Sequence, residues 1–206
     1  MRLRGFVILL VGVLAFALVA VGCGQSQRSE AGKPKTMNER ARQQQVAPKE
    51  GEGRDQGLIA PAPESHVLRL TVPAMKRVHD AVVPTAVGTD EQALKNHVAI
   101  HLKGTGFPWQ KVTNVYIAGH RLGYRGTRSL YAFYDLNKLK KGDRIYITDA
   151  NGRKYTYEVF KKFAVAPTDV SVTKPVPGKN IVTLQSCTLP DYEKRLIVQG
   201  KLVSHT

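Results

Sequence analysis

Apolar positions along this chain fall into three regimes. From Phe6 to Cys23 they form one unbroken run, FVILLVGVLAFALVAVGC. At about 1.5 Å per residue, a helix of that length nearly spans a bilayer core of about 30 Å. From Gln25 to about Ser65 the apolar signal vanishes into Gln, Glu, Lys, Arg, Gly and Pro. Such a stretch buries too little apolar surface to offset its ordering entropy, which predicts a flexible stalk. From about His66 onward, apolar residues return in short bursts rich in β-branched and aromatic side chains: VLRLTV (67–72), HVAIHL (97–102), VTNVYIAG (112–119), DRIYITD (143–149), KYTYEVFKKFAV (154–165), NIVTLQSC (180–187) and RLIVQGKLV (195–203). These are strand signals, and an eighth strand is expected between Val82 and Val87. Asn151-Gly152 marks a tight hairpin between two of them. One stretch has helical spacing, SLYAFYDLNKLKKGD (129–143), ended by Gly142. Many short strands with little helix predict an all-β barrel or sandwich.

The flanks of the first run give it a direction. Arg2 and Arg4 precede it and a polar chain follows, which predicts a cytoplasmic N-terminus with everything downstream outside. The run reads as an uncleaved membrane anchor, a cleaved signal segment, or a lipidation site at Cys23, whose preceding Ala20-Val21-Gly22 partly matches a lipoprotein cleavage site. A buried core helix is the bland alternative. The expected organisation is therefore an N-terminal membrane segment (1–23), a polar stalk (24–65) and one folded domain (66–206).

Charge narrows the function. From His66 onward there are 22 Lys and Arg against 10 Asp and Glu, a net of +12 of the chain's formal +15. No nucleic-acid motif accompanies it, so nucleic acid is not expected as a partner. Anionic envelope polymers or lipid head groups fit an extracellular location better, and a merely solvated basic surface is the simplest reading. If Cys23 sits in or at the membrane, the domain keeps a single cysteine, Cys187, and no internal disulfide. An odd cysteine outside the cell is a reactive thiol, an intermolecular bridge, or a small buried hydrophobe.

Three residues stand at strand ends, where a scaffold fixes side chains and loops admit ligand: His120 in YIAGHRLG, Cys187 in TLQSC and Arg195 in KRLIVQ. Taken in order, NVYIAGHR, YAFYDLNKLKKGDRIYI and TLQSCTLPDYEKRLIV resemble the sortase family, whose hallmarks are a strand-end His, a TLxTC motif and a following Arg. Ser186 stands where that motif has its second Thr, and keeps the hydroxyl.

The resemblance covers about residue 66 to the end and points to the class E or housekeeping-like group. It implies a closed eight-stranded sortase β-barrel with short helices and a cysteine transpeptidase for which no cofactor and no metal-ligating residues are expected, calcium dependence being left open. The implied partners are proteins bearing an LPxTG or LAxTG sorting signal, cut between Thr and Gly, and an amine acceptor on a cell wall precursor or a pilin. The implied catalytic residues are Cys187 as nucleophile, His120 as acid and base, and Arg195 as the group that positions substrate and supports the oxyanion. Thr183, Leu184 and Ser186 of the motif, with Pro167 and Val172 of the connection APTDVSVTKPVPGK (166–179), are the expected substrate contacts. That connection is expected to form one wall of the peptide groove.

The chemistry of those roles is general. A thiolate attacks a carbonyl, and the thioester divides one hard acyl transfer into two easier steps. At pH 7 an ordinary free thiol is about 3% ionised and an ordinary imidazole about 24% protonated, so an independent pair is rarely in the reactive state and a slow enzyme is expected. A hydrolytic cysteine peptidase and a non-enzymatic module binding anionic polymers are the rival readings. His97 and His101, four apart on one expected strand, suggest a metal only weakly. Gly104 and Gly106 read as a turn, and Trp109 as core or rim.

Overall fold

The computed structural model describes residues 57–206. The expected membrane segment at 1–23 and most of the expected stalk lie outside them. Among the described residues no helix is long and apolar enough to cross a membrane.

Among the described residues nine strands form one nearly closed barrel: β1 (Leu68–Thr71), β2 (Ala81–Val83), β3 (Thr85–Ala86), β4 (Ile100–Leu102), β5 (Thr113–Ala118), β6 (Arg144–Thr148), β7 (Lys154–Val165), β8 (Asn180–Cys187) and β9 (Arg195–His205). Their order is β2-β1-β6-β7-β9-β8-β5-β4-β3. The count exceeds the expected eight because one strand is split. Pro84 separates β2 from β3 and has no N–H to give a ladder, yet its carbonyl accepts the His101 N–H at 2.8 Å. The first half pairs with β1 and the second with β4, so the two sheet edges meet through the covalent chain.

Alternation puts Val115 and Ile117 of β5, Val182 and Leu184 of β8, and Tyr155, Tyr157 and Val159 of β7 into one buried core with Trp109 and Phe133. Several polar side chains carried inside find partners. The Tyr157 hydroxyl donates to Asn180 Oδ1 at 2.9 Å, and Asn180 Nδ2 donates to the carbonyls of Pro108 and Gln110. The Tyr155 hydroxyl donates to Asp149, and burial pushes that phenol up to about 12. Asp149 also accepts the N–H groups of Asn151 and Arg153, fixing the β6–β7 hairpin in which Gly152 has φ +82°.

Three expectations change. The helical stretch at 129–143 is mostly turns, with one 3-10 segment at Tyr134–Lys138. A short α-helix, α1 (Glu91–Asn96), lies where none was expected, with Asp90 accepting the Ala93 N–H at its start. The packed chain also begins upstream of His66: Leu58 bridges to Gln110, Pro63 is buried, and the Pro61 carbonyl accepts from Arg153 at 2.6 Å.

Candidate active site

β8 is the axis of the site. It lies between β5, which runs parallel to it, and β9, which runs antiparallel. The C-terminal ends of β5 and β8 and the start of β9 therefore meet at one end of the barrel. There Cys187 is the cross-strand partner of Arg195. The next ladder bond, Thr188 N–H to Lys194 carbonyl at 2.9 Å, makes Cys187–Arg195 a non-hydrogen-bonded pair, the kind whose side chains stand closer. On the other side, Gly119 N–H donates to the Gln185 carbonyl at 3.0 Å. This carries the β5–β8 ladder one residue past Ala118 and leaves His120 level with Cys187.

The three side chains open into one cleft of about 320 Å³, whose walls include Glu91 and Leu94 of α1, Tyr116, Pro167, Asp169 and Gln185. The outer wall is the β7–β8 connection. Asn114, 1% exposed, donates from Nδ2 to the carbonyls of Val172 at 2.8 Å and Lys174 at 3.1 Å, pinning that segment over β5. Asp169 accepts from Ser171 N–H and Oγ, bonds that hold its carboxyl below the usual range.

The motif residues divide between the two faces of β8. Ser186 turns its hydroxyl to the Gly119 carbonyl at 2.9 Å, tying β8 to the residue before His120. Thr183 and Leu184 are fully buried and do not line the cleft: Thr183 donates to Asn114 Oδ1 at 2.7 Å, and Leu184 belongs to the core. Val172 does not line it either; its part is the carbonyl held by Asn114. Pro167 lines it.

His120 Nε2 is buried without a hydrogen-bond partner and lies 3.9 Å from Glu91 Oε2. Tyr124 stands edge-on to the imidazole at 5.6 Å and donates its hydroxyl to Glu91 at 2.7 Å, a bond that raises the phenol above its ordinary value. Arg195 donates to the Tyr192 carbonyl at 3.3 Å. The buried Tyr116 hydroxyl donates to Gln185 at 2.5 Å; burial drives it well upward, against a smaller downward pull from Arg195. Glu91, Tyr124, Tyr116 and Gln185 carried no signal in the sequence reading.

His97 and His101 do not share a strand. His97 ends α1, while His101 in β4 is fully buried, with Nδ1 bonded to Thr85 and Nε2 to the Gly106 carbonyl and Thr105.

Residues 70–203 match the family model described as the Sortase domain. The chain is similar to sortase A of Streptococcus agalactiae serotype III (strain NEM316), 36% identical over 90 residues that make up 43% of this chain and 36% of that protein. It is likewise similar to sortase A of Bacillus anthracis, 37% identical over 91 residues, 44% of this chain and 40% of that one. The match therefore spans well under half the length of these relatives. Among solved structures, the fold resembles a lid mutant of sortase A from Corynebacterium diphtheriae, with TM-score 0.56, 31% identity, and 69% and 73% of the two chains covered. Sortase C-1 from Actinomyces oris gives TM-score 0.59 and 30% identity, with 68% and 76% covered.

Proposed function

Since this chain belongs to the sortase family, we propose that it is a cell-surface cysteine transpeptidase, held by its N-terminal apolar segment with the barrel outside the membrane. It cleaves a sorting signal of the LPxTG or LAxTG type between Thr and Gly. It then passes the acyl part to an amine of a cell wall precursor or a pilin. The observation that carries this reading is the convergence of His120, Cys187 and Arg195 on one cleft at the matched ends of β5, β8 and β9.

In the first step the Cys187 thiolate attacks the Thr carbonyl carbon, and the negative charge gathers on that oxygen. Arg195, which cannot give up its proton and sits across the ladder from the sulfur, supports the oxyanion. The C–N bond breaks as the His120 imidazolium gives its proton to the departing amine, leaving a thioester and neutral imidazole. In the second step the acceptor amine attacks the thioester, His120 takes its proton, and the thiolate leaves.

The test incubates the purified full chain in detergent with LPETG-type and LAETG-type peptides. Each is tried with and without a short glycine or diaminopimelate-bearing amine, beside Cys187→Ala, and products are read by mass spectrometry. A Cys187-dependent adduct of truncated peptide and amine supports the proposal and ranks the two signals. Cleavage with no adduct for any amine assigns a hydrolase. No cleavage of any peptide refutes the enzymatic reading.

A further inference from the structure

A second concave site lies at the opposite end of β8. From Cys187 back to Asn180 is seven strand steps, about 23 Å. Around Asn180 opens a groove of about 620 Å³, roughly twice the catalytic cleft, bounded by Lys141, Phe160, Lys179, Lys201 and Leu202. Phe160 owes its position to a bulge. Val159 pairs with Gly200 and Lys161 with Gln199, so Phe160 is the extra residue that β7 carries against β9. A bulge re-aims the side chain it carries, and here it gives the groove an aromatic, half-buried floor beside Leu202. The three lysines are exposed, no described carboxylate lines the groove, and none of the three forms an ion pair among the described residues; Glu158, the cross-strand partner of Lys201, is bridged to Arg144 instead.

The first described residues lie at this same end. The Gly57 carbonyl accepts from Lys111 N–H at 2.6 Å, Thr113 N–H donates to the Lys179 carbonyl, and Asn180 donates to the Gln110 carbonyl. One hydrogen-bonded patch thus joins the point where the upstream chain arrives to the rim of the groove. Upstream of it are residues 24–56 and the apolar run from Phe6 to Cys23.

We propose that this groove seats the barrel on the anionic lipid surface of the membrane that holds the N-terminal segment. The three ammonium groups meet head-group phosphates, and Phe160 and Leu202 receive acyl carbon. Basic side chains beside a tether are drawn to anionic lipid, and the attraction fades within a Debye length. Seated this way, the domain turns the Cys187 cleft away from the bilayer, toward substrates and acceptors. The inference rests on the membrane tether proposed above.

The test places the full chain in vesicles of phosphatidylcholine alone or mixed with phosphatidylglycerol. Exposed lysines are acylated briefly with a water-soluble reagent, and each site is read by peptide mass spectrometry. Labelling of Lys141, Lys179 and Lys201 should fall about fivefold in the anionic vesicles, the factor that corresponds to one lysine's attraction to such a surface. Lys194, beside Cys187, should label equally in both, and molar salt should erase the difference. A folded Lys179→Glu/Lys201→Glu variant should lose the protection at Lys141. Equal labelling of the three lysines in both vesicles overturns the proposal. So does equal protection by soluble polyphosphate on neutral vesicles, which would assign the groove to a polymer. Failure of the chain to float with neutral vesicles removes the tether and the proposal with it. Loss of Cys187-dependent product with soluble peptides, alongside intact lysine protection, would strike the proposed activity alone.

Discussion

Replacing Asn114 by Ala tests how the cleft wall is held. Asn114 is 1% exposed and makes three side-chain hydrogen bonds: it donates to the Val172 and Lys174 carbonyls and accepts from the Thr183 hydroxyl. At about 0.5–1.5 kcal/mol net for each, their loss costs about 1.5–4.5 kcal/mol. Thr183 is fully buried, and its hydroxyl would lose its acceptor while still receiving Gln199 Nε2 at 3.3 Å, which argues for the upper half of that range. With a urea slope of about 2 kcal/mol per molar, a loss near 3 kcal/mol lowers the unfolding midpoint by about 1.5 M at unchanged slope. Because two of the three bonds hold the 166–179 segment, part of the loss is local. Limited proteolysis should cut first within 166–179, and the peptide KM should rise more than kcat falls. Asn114→Asp should be worse than Ala, since it keeps the acceptor for Thr183 but sets a carboxylate against two carbonyls. A midpoint shift worth less than about 0.5 kcal/mol, outside the range given for three lost bonds, or first cleavage elsewhere, would refute this account of the wall.

Three further substitutions probe the surroundings of the site. A Cβ at Gly119 would stand 2.8 Å from the Phe133 ring and 2.9 Å from the Val98 carbonyl oxygen; Gly119→Ala should therefore cost about 1–3 kcal/mol on a thermal melt and depress kcat by displacing His120. Burial holds the His101 imidazole below its ordinary value, so between that lowered value and about 6.5 the unfolded chain binds the extra proton. Stability from this residue is full above about pH 6.5 and is lost as pH falls through that window, by up to about 1.4 kcal/mol per unit; comparing urea midpoints of wild type and His101→Gln at pH 5 and 8 should show the slope flattened in the variant. Glu91→Gln keeps an acceptor for Tyr124 but removes the negative charge beside His120. Amine-dependent turnover and hydrolysis of the same peptide in the absence of amine should both fall about two- to fivefold, the range for an exposed charge pair, because both pass through the acylation step in which the His120 imidazolium gives up its proton.

Much of the barrel was legible because its long strands end at strong punctuation. β7 and β8 run over the same residues, 154–165 and 180–187, that the pattern predicts. The turn between β6 and β7 follows from Asn151-Gly152, and the expected eighth strand is present but broken at Pro84. Of the site, His120, Cys187 and Arg195 were readable as strand-end residues, and their convergence required only that β5, β8 and β9 be neighbours. The failures have separate physical causes. α1 is six residues long, too short for a 3.6-residue period to declare itself, although Asp90 was an available cap signal. The stretch at 129–143 has helical spacing, but Tyr131 has φ +60° and Phe133 N–H is drawn to the His120 carbonyl at 2.9 Å, so tertiary contacts break the helix into turns. Thr183 and Leu184 were expected at the substrate because they belong to the motif. The run IVTL, buried without alternation, is the signature of a strand covered on both faces, and it excludes them from the surface.

Arg195 shows how the cleft keeps one charge uncommitted. Both carboxylates in its walls are occupied by other groups: Asp169 by the N–H and hydroxyl of Ser171, and Glu91 by the Tyr124 hydroxyl. Arg195 forms no ion pair among the described residues and is anchored instead by the neutral Tyr192 carbonyl. A carboxylate partner would fix the guanidinium equally well, but it would cancel the field at the adjacent Cys187 and compete with any developing oxyanion for the same donors. A carbonyl fixes the geometry without consuming the charge. The neighbouring Tyr116 phenol points the same way, since Arg195 is the influence that pulls it down against burial. In a site with one permanent positive charge, that charge is thus left to act on whatever anion forms beside the sulfur, where a preorganised donor contributes most.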